Sequence, residues 1–347
     1  MLLRGVKDFI FWGFLGLSLL FFLFPPAIVE WLYGRILYPA IRLISNLLIW
    51  IPLPLIYLMV PLVIFLYIKF IRGSGPGLSK WMAAFKGAAV FIFMFYWLWA
   101  FNYRRPDFST HYYVRFGQLS DWGLRNELNL ALDLCIKSRP STIHKQLATE
   151  IESKLKPYVK EVCKKLGYDV PGNIRAKEIY PAGTLLRIKT AGFYMPFCGE
   201  AYVDAGLHIL QLPYTLAHEM SHAAGITDEG ACNFTAYLAS INQPDSLIIY
   251  SAAISYYRYV ATSYRHYFPN EYDKFKKQIP KNIANDLNEV TQQMLKYPDV
   301  FPRLRDAIYD RFLSLQGVKG GMASYDHVID YVKFSRDNGI WLFNNYH

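Results

Sequence analysis

The sequence predicts an α+β protein in which N-terminal transmembrane helices precede a mostly helical domain with a small antiparallel sheet. Three observations carry that expectation. The chain of 347 residues is 53% hydrophobic and 17% aromatic, above the usual globular mix, and most of the excess lies before Tyr103. After Tyr103, apolar residues recur mainly at the helical period. One interval, "TLLRIKTAGFYMPFCGEAYVDAG", instead carries β-branched and aromatic residues broken by glycines, as a small sheet does.

The first apolar run, "FIFWGFLGLSLLFFLF", follows a short basic start with Arg4 and Lys7. That start is like a signal peptide's, but the following "PPAIVEW" lacks a small-x-small cleavage site, so an uncleaved anchor is expected. Residues 2–24 are needed to cross a ~30 Å hydrocarbon core. Residues 27–46 alternate apolar positions with Glu30, Arg35 and Arg42 and are expected to form an interfacial helix. A second span is expected over 47–70, with Pro52, Pro54 and Pro61 inside it. After the flexible link "IRGSGPGLSK" comes a third span over 81–101, ending in the aromatic cluster "FYWLWAFNY". The membrane region is therefore 1–102, with a second domain over 103–347. Arg4 and Lys7 precede the first span, and Lys69, Arg72 and Lys80 separate the second from the third. This bias points to a cytoplasmic N-terminus and an extracytoplasmic second domain.

Within that domain, "LRNELNLALDLCIKSR" and "IHKQLATEIESKLKPYVKEVCKKLG" read as helices, as does most of the chain beyond Pro213 up to "YDRFLSLQGVKGGMASYDHVIDYVKFSRDNG". "SLIIYSAAISYYRYVATSY" is apolar enough to suggest a fourth span, but Arg258 and its tyrosines make it a buried helix. The formal charge of +10 is scattered, with no basic block or nucleic-acid motif, so it fits the flanks of a membrane protein rather than a nucleic-acid binder. Cys135, Cys163, Cys198 and Cys232 form no CxxC pair, which argues against a zinc ribbon.

The chemistry is concentrated at His218-Glu219-Met220-Ser221-His222, an H-E-x-x-H sequence. Residues four apart share a helix face, so both imidazoles can reach one ion. Zn²⁺ lowers the pKa of a bound water to about 7, and Glu219 stands where a general base and acid is needed. Pro213 suits the start of a helix and Gly225 a left-handed C-terminal cap, with Thr227 or Asp228 capping the next helix. The resulting tight turn returns Glu229 toward the histidine face as the third ligand. Asn233, one turn further, is placed to orient a ligand through a hydrogen bond. Asp228 and Cys232 compete for the ligand role; Asp228 is better explained as a cap, and Cys232 is unusual beside two histidines and a hydrolytic water.

"PFCGEAYVDAGLHILQLPYTLAHEMSHAAGITDEGACNFTAYLAS" resembles a bacterial membrane family known as domain of unknown function 3810, and "YDRFLSLQG" and "SYDHVIDYV" resemble its tail. More broadly the arrangement resembles the gluzincin metallopeptidases, whose third ligand is a glutamate on the next helix. Their E-x-x-x-D or E-x-x-x-N pairing maps onto Glu229 and Asn233. A further acid common in the family is replaced here by Ala231. The resemblance implies peptidase chemistry with zinc as cofactor, a peptide or protein substrate, and residence in a bacterial inner or plasma membrane.

It also implies that "GEAYVD" is an edge strand beside the cleft, able to pair with extended peptide; the competing reading is an ordinary core strand. Glu200 is expected to make a structural hydrogen bond rather than bind a substrate amine. Tyr309, Tyr325 and His327 are candidates for stabilising a developing oxyanion, each with a packing role as the competing explanation. His208 reads as a strand or loop residue. A Cys198–Cys232 disulfide is conceivable in an external domain. The expected function is that of a membrane-anchored zinc peptidase. The alternatives are a non-catalytic or self-processing membrane metalloprotein acting as a sensor, and a structural membrane protein braced by its metal.

Overall fold

The computed structural model describes residues 2–48, 50–74, 77–106, 108–117, 121–300 and 327–339. These fall into two compact units. The first comprises Met1–Pro106 with two short outlying segments, Pro171–Asn173 and Met195–Glu200; the remainder of the chain forms the second.

The first unit is helical. α1 spans Leu2–Phe21, and after Pro25 a short α2 (Pro26–Val29) runs through a π-helical segment (Glu30–Leu37) into α3 (Tyr38–Ser45). α4 spans Ile56–Arg72 and α5 spans Leu78–Leu98. The segment expected to be interfacial is thus helical but wound wide at its centre. The second span differs from expectation. Residues 46–48 form a single 3₁₀ turn and α4 begins only at Ile56, because Pro52 and Pro54 remove two donors and push the residues before them out of the helical region. Only Pro61 lies inside the helix.

Ser79–Leu98 is long and apolar enough to cross a membrane, and Phe9–Phe21 is a shorter apolar helix. Large apolar side chains on α1, α4 and α5 are exposed, Phe65, Trp81 and Phe85 among them. The α2–α3 segment is pinned by buried and part-buried polar groups. Arg105 reaches Glu30 at 2.7 Å, Tyr33 donates to the Trp97 carbonyl at 2.9 Å, and Phe21, Tyr33, Trp97 and Phe101 pack ring against ring. Buried Arg42 donates to the carbonyls of Gly199 and Asn173, gathering both outlying segments into this unit. Gly199 has φ +65, and a Cβ there would lie 2.3 Å from the Ser45 Cβ, so only glycine fits. In the same segment Phe197 stacks on Phe91 at 4.5 Å.

The second unit contains α6 (Phe108–Tyr112), α7 (Asp121–Ser138), α8 (Ala148–Lys165), strands β1 (Ala176–Ile179), β2 (Gly192–Met195) and β3 (Glu200–Asp204) apart from their end residues Met195 and Glu200, then α9 (Leu212–Ala223), α10 (Glu229–Ile241), α11 (Ser246–Tyr267), α12 (Pro269–Lys276), α13 (Lys281–Leu295) and α14 (His327–Asp337). The fold class is α+β, but the sheet is mixed rather than antiparallel. Its order is β1-β3-β2, with β1 and β3 parallel in the register Ala176 to Ala201. β2 and β3 form a hairpin, whereas the chain between β1 and β3 is long enough to bring β3 back in the same direction. This also corrects the position of "GEAYVD": β3 is the central strand and fully buried, and β1 and β2, "GFYM", are the two edges.

The core lies among α7–α11 and α14. α10 is buried along its whole length, and α11 is a buried helix of this unit. Three polar clusters lock the helices. Glu127 on α7 accepts from Tyr256 on α11 at 2.5 Å and from both terminal nitrogens of Arg336 on α14. Asp286 on α13 accepts from Arg139 and from Tyr250. Asp245 caps α11 by accepting from Leu247 N–H and also takes Lys154. Residues "YDRFLSLQG" and the start of "SYDHVIDYV" lie outside the described residues.

Candidate metal centre

The centre is a helix–turn–helix. Pro213 sits in the first turn of α9, where a missing N–H costs no hydrogen bond. Just past its end stands Gly225, whose φ of +102 lets its N–H reach the His222 carbonyl at 2.9 Å while Ile226 N–H returns to Ser221. Asp228 caps α10, its Oδ1 accepting from Ala231 N–H at 2.6 Å. Glu229 is therefore the first residue of α10, facing the last turns of α9.

His218 Nε2 lies 3.2 Å and His222 Nε2 3.4 Å from one oxygen, Glu229 Oε2. All three donor atoms lie within 4.8 Å of one another. The other ring nitrogens are committed elsewhere. His218 Nδ1 meets Asn233 Oδ1 at 2.8 Å, and His222 Nδ1 meets the Ile226 carbonyl at 2.9 Å. With an acceptor at each Nδ1, a proton stays on that nitrogen, and a cation that displaces the proton shared with Glu229 is met by Nε2. Asn233 is itself held: Tyr259 donates to its Oδ1 at 3.2 Å and Tyr214 to its backbone carbonyl at 2.9 Å.

Glu219 is 4% exposed, and its Oε2 has no hydrogen-bond partner among the described residues. Burial pushes its carboxyl up to about 7, opposed by His218 and His222 and reinforced by Glu229. Glu229 behaves oppositely: burial raises it, but the charge and hydrogen bonds of His222 and His218 hold it well below the usual carboxylate range. Burial works against charge on His222, yet Cys232 and Glu229 carry it well above its ordinary value. Since burial pushes the Cys232 thiol up to about 12, that side chain is neutral and the carboxylate is the effective partner. Two imidazoles and a carboxylate converging this closely, beside an unsatisfied buried carboxylate oxygen, form a donor set suited to a four-coordinate divalent cation with an open position.

The geometry stands beside one family match. A model described as "Protein of unknown function (DUF3810)" matches residues 33–333. The chain belongs to the DUF3810 family. No curated protein and no solved structure matches it. The match takes in the whole helix–turn–helix and the sheet, so this centre lies within the DUF3810 region of the chain.

Of the competing ligands, Asp228 is the cap and also accepts from Tyr331. Cys232 Sγ lies 3.3 Å from His222 Nδ1, the nitrogen not directed at Glu229. All four cysteines are free thiols, so no Cys198–Cys232 disulfide is present. His208 sits in the loop before α9, accepting from Leu210 N–H through Nδ1 and from Leu212 N–H through its carbonyl. Glu200 is buried and accepts from Leu55 N–H at 3.0 Å, a structural hydrogen bond. His327 opens α14 with its ring stacked on Phe116 at 4.1 Å; Tyr309 and Tyr325 lie outside the described residues.

Sequence reasoning passed over Gly192, Tyr214 and Tyr259. A Cβ on Gly192, the first residue of edge strand β2, would lie 2.7 Å from Glu219 Oε1 and 2.5 Å from the Tyr202 carbonyl. The strand backbone can approach the glutamate this closely only because the residue is glycine. Nothing in "KTAGFYM" read alone signals that contact. The two tyrosines were hidden among 27 in the chain.

Proposed function

We propose that this protein is a membrane-anchored, zinc-dependent peptidase whose catalytic domain lies outside the cytoplasm. The observation that carries the reading is the convergence of His218 Nε2, His222 Nε2 and Glu229 Oε2 beside the buried Oε2 of Glu219. When bound, zinc polarises a carbonyl and makes water acidic enough to yield a nucleophile near neutral pH. His218, His222 and Glu229 hold the ion, and Asn233 fixes the orientation of the His218 ring.

Glu219 orients the attacking water and takes its proton as the water adds to the peptide carbonyl. It then delivers that proton to the leaving amine. Burial of its carboxyl favours holding that proton between the two transfers. Gly192 leaves room beside the glutamate for this exchange, and the outer edge of β2 offers backbone groups to an extended peptide. Ser79–Leu98, with the exposed apolar faces of α1 and α4, supports an anchor of three spans.

The test compares the zinc-loaded protein with Glu219→Gln on a mixed peptide library read by mass spectrometry. The proposal expects equal zinc in both, and cleavage slowed by about three orders of magnitude or more in the variant. Equal cleavage by both proteins removes Glu219 from the chemistry.

A further inference from the structure

α11 presents two unlike faces. On one, Tyr250 donates to Asp286 and Tyr256 to Glu127, each buried. On the other, Ser251 donates to the Leu210 carbonyl at 2.7 Å and accepts from Tyr214 N–H at 3.2 Å, fastening the helix to the start of α9. Seven residues along, and so within about 20° of Ser251 around the axis, stands Arg258. Its neighbour Tyr259 donates to Asn233 Oδ1, the atom that meets His218 Nδ1. The ring of Tyr259 lies 6.4 Å from that of Tyr214, one turn before His218. Arg258 therefore shares the face of α11 that Ser251 fastens to the start of α9, next to the tyrosine that braces Asn233.

Its state is unlike that of the other part-buried arginines of this unit. Arg139 forks Asp286, Arg175 meets Glu152 at 2.8 Å, and Arg336 forks Glu127. Arg258 is half-buried, yet among the described residues it makes no hydrogen bond and no ion pair. Burial lowers its pKa, with only Tyr259 opposing that. A guanidinium without an acceptor keeps its donors open to a ligand, and its planar fork fits a carboxylate in two parallel hydrogen bonds.

We propose that Arg258 receives a carboxylate of the substrate, and so sets which peptides are positioned at the centre. This rests on the peptidase reading above. The carboxylate has two sources, the C-terminus of a short peptide or an Asp or Glu side chain in a longer one. Arg258 acts as a specificity determinant, with bond making and breaking left to Glu219.

The test uses the full-length chain in detergent, zinc-loaded and carrying Glu219→Gln, with three dansylated hexa-alanine probes followed by anisotropy. One probe has a free C-terminus, one a C-terminal amide, and one a C-terminal amide with a central glutamate. At least one carboxylate probe should bind about tenfold more tightly than the uncharged amide. Whichever carboxylate probe gains affinity identifies the source. Adding Arg258→Gln should abolish the preference, and Arg258→Lys should keep part of it, with zinc content unchanged in both. Equal binding of all three probes, no binding of any, or a preference that survives Arg258→Gln overturns the proposal. Hydrolysis of the same probes by the protein with Glu219 intact is followed in parallel. An Arg258-dependent preference without hydrolysis counts against the peptidase reading alone, and hydrolysis without preference counts against Arg258 alone.

Discussion

Glu229 and Gly192 set opposite limits on the centre. Glu229 brings one carboxylate oxygen within 3.4 Å of both ring nitrogens, so Glu229→Gln removes the anionic member of the donor set. Zinc affinity should fall by about a hundredfold or more, read by competition with a chromogenic chelator. Gly192→Ala should leave zinc content unchanged. Its Cβ meets Glu219 and the Tyr202 carbonyl, so catalytic efficiency should fall by about a hundredfold through displacement of the base. Unchanged hydrolysis by Gly192→Ala would dissociate the edge strand from the chemistry. His218, Glu219, His222 and Glu229 were legible because a four-residue helical spacing and a short capped turn fix their relation locally. Gly192 and Tyr259 were not, because their contacts with Glu219 and Asn233 join positions 27 and 26 residues apart, and no local pattern encodes such a pairing.

The turn between α9 and α10 depends on two conformational devices. Asp228 accepts from Ala231 N–H, and Gly225 occupies φ +102. Asp228→Ala should destabilise the second unit by about 1 kcal/mol, and Gly225→Ala by about 1 kcal/mol or more, both measured by denaturant unfolding of the zinc-free protein. Because Asp228 also accepts from Tyr331 on α14, a loss confined to α10 should spread to that helix in hydrogen exchange. Helices α7, α8, α9 and α10 were readable from apolar period and caps. The sheet was read less well. β1, "AKEI", is too short and polar to announce itself, and strand order follows from long-range pairing that alternation alone does not specify. The second apolar run was misjudged for a different reason: its hydropathy is continuous, while Pro52 and Pro54 delay the helix to Ile56.

The molecule as a whole divides into a unit rich in exposed apolar helices and a unit carrying the centre. If α1, α4 and α5 all span, single cysteines introduced at Lys7 and Lys80 should be labelled from the cytoplasmic side, and one at the exposed Lys281 from the other. Labelling of Lys281→Cys from the cytoplasm would reverse the assigned topology without touching the metal chemistry. The family match extends across both units, from residue 33 to residue 333, so the family's design takes in both the helical segment before α4 and the centre. The most direct test of that design is metal content. The full-length protein, purified in detergent, exposed to equimolar zinc and passed through a desalting column, should retain about one zinc per chain by elemental analysis. The His218→Ala/His222→Ala double variant should retain none. A wild-type protein that emerges without zinc, or a double variant that keeps it, would contradict the assignment.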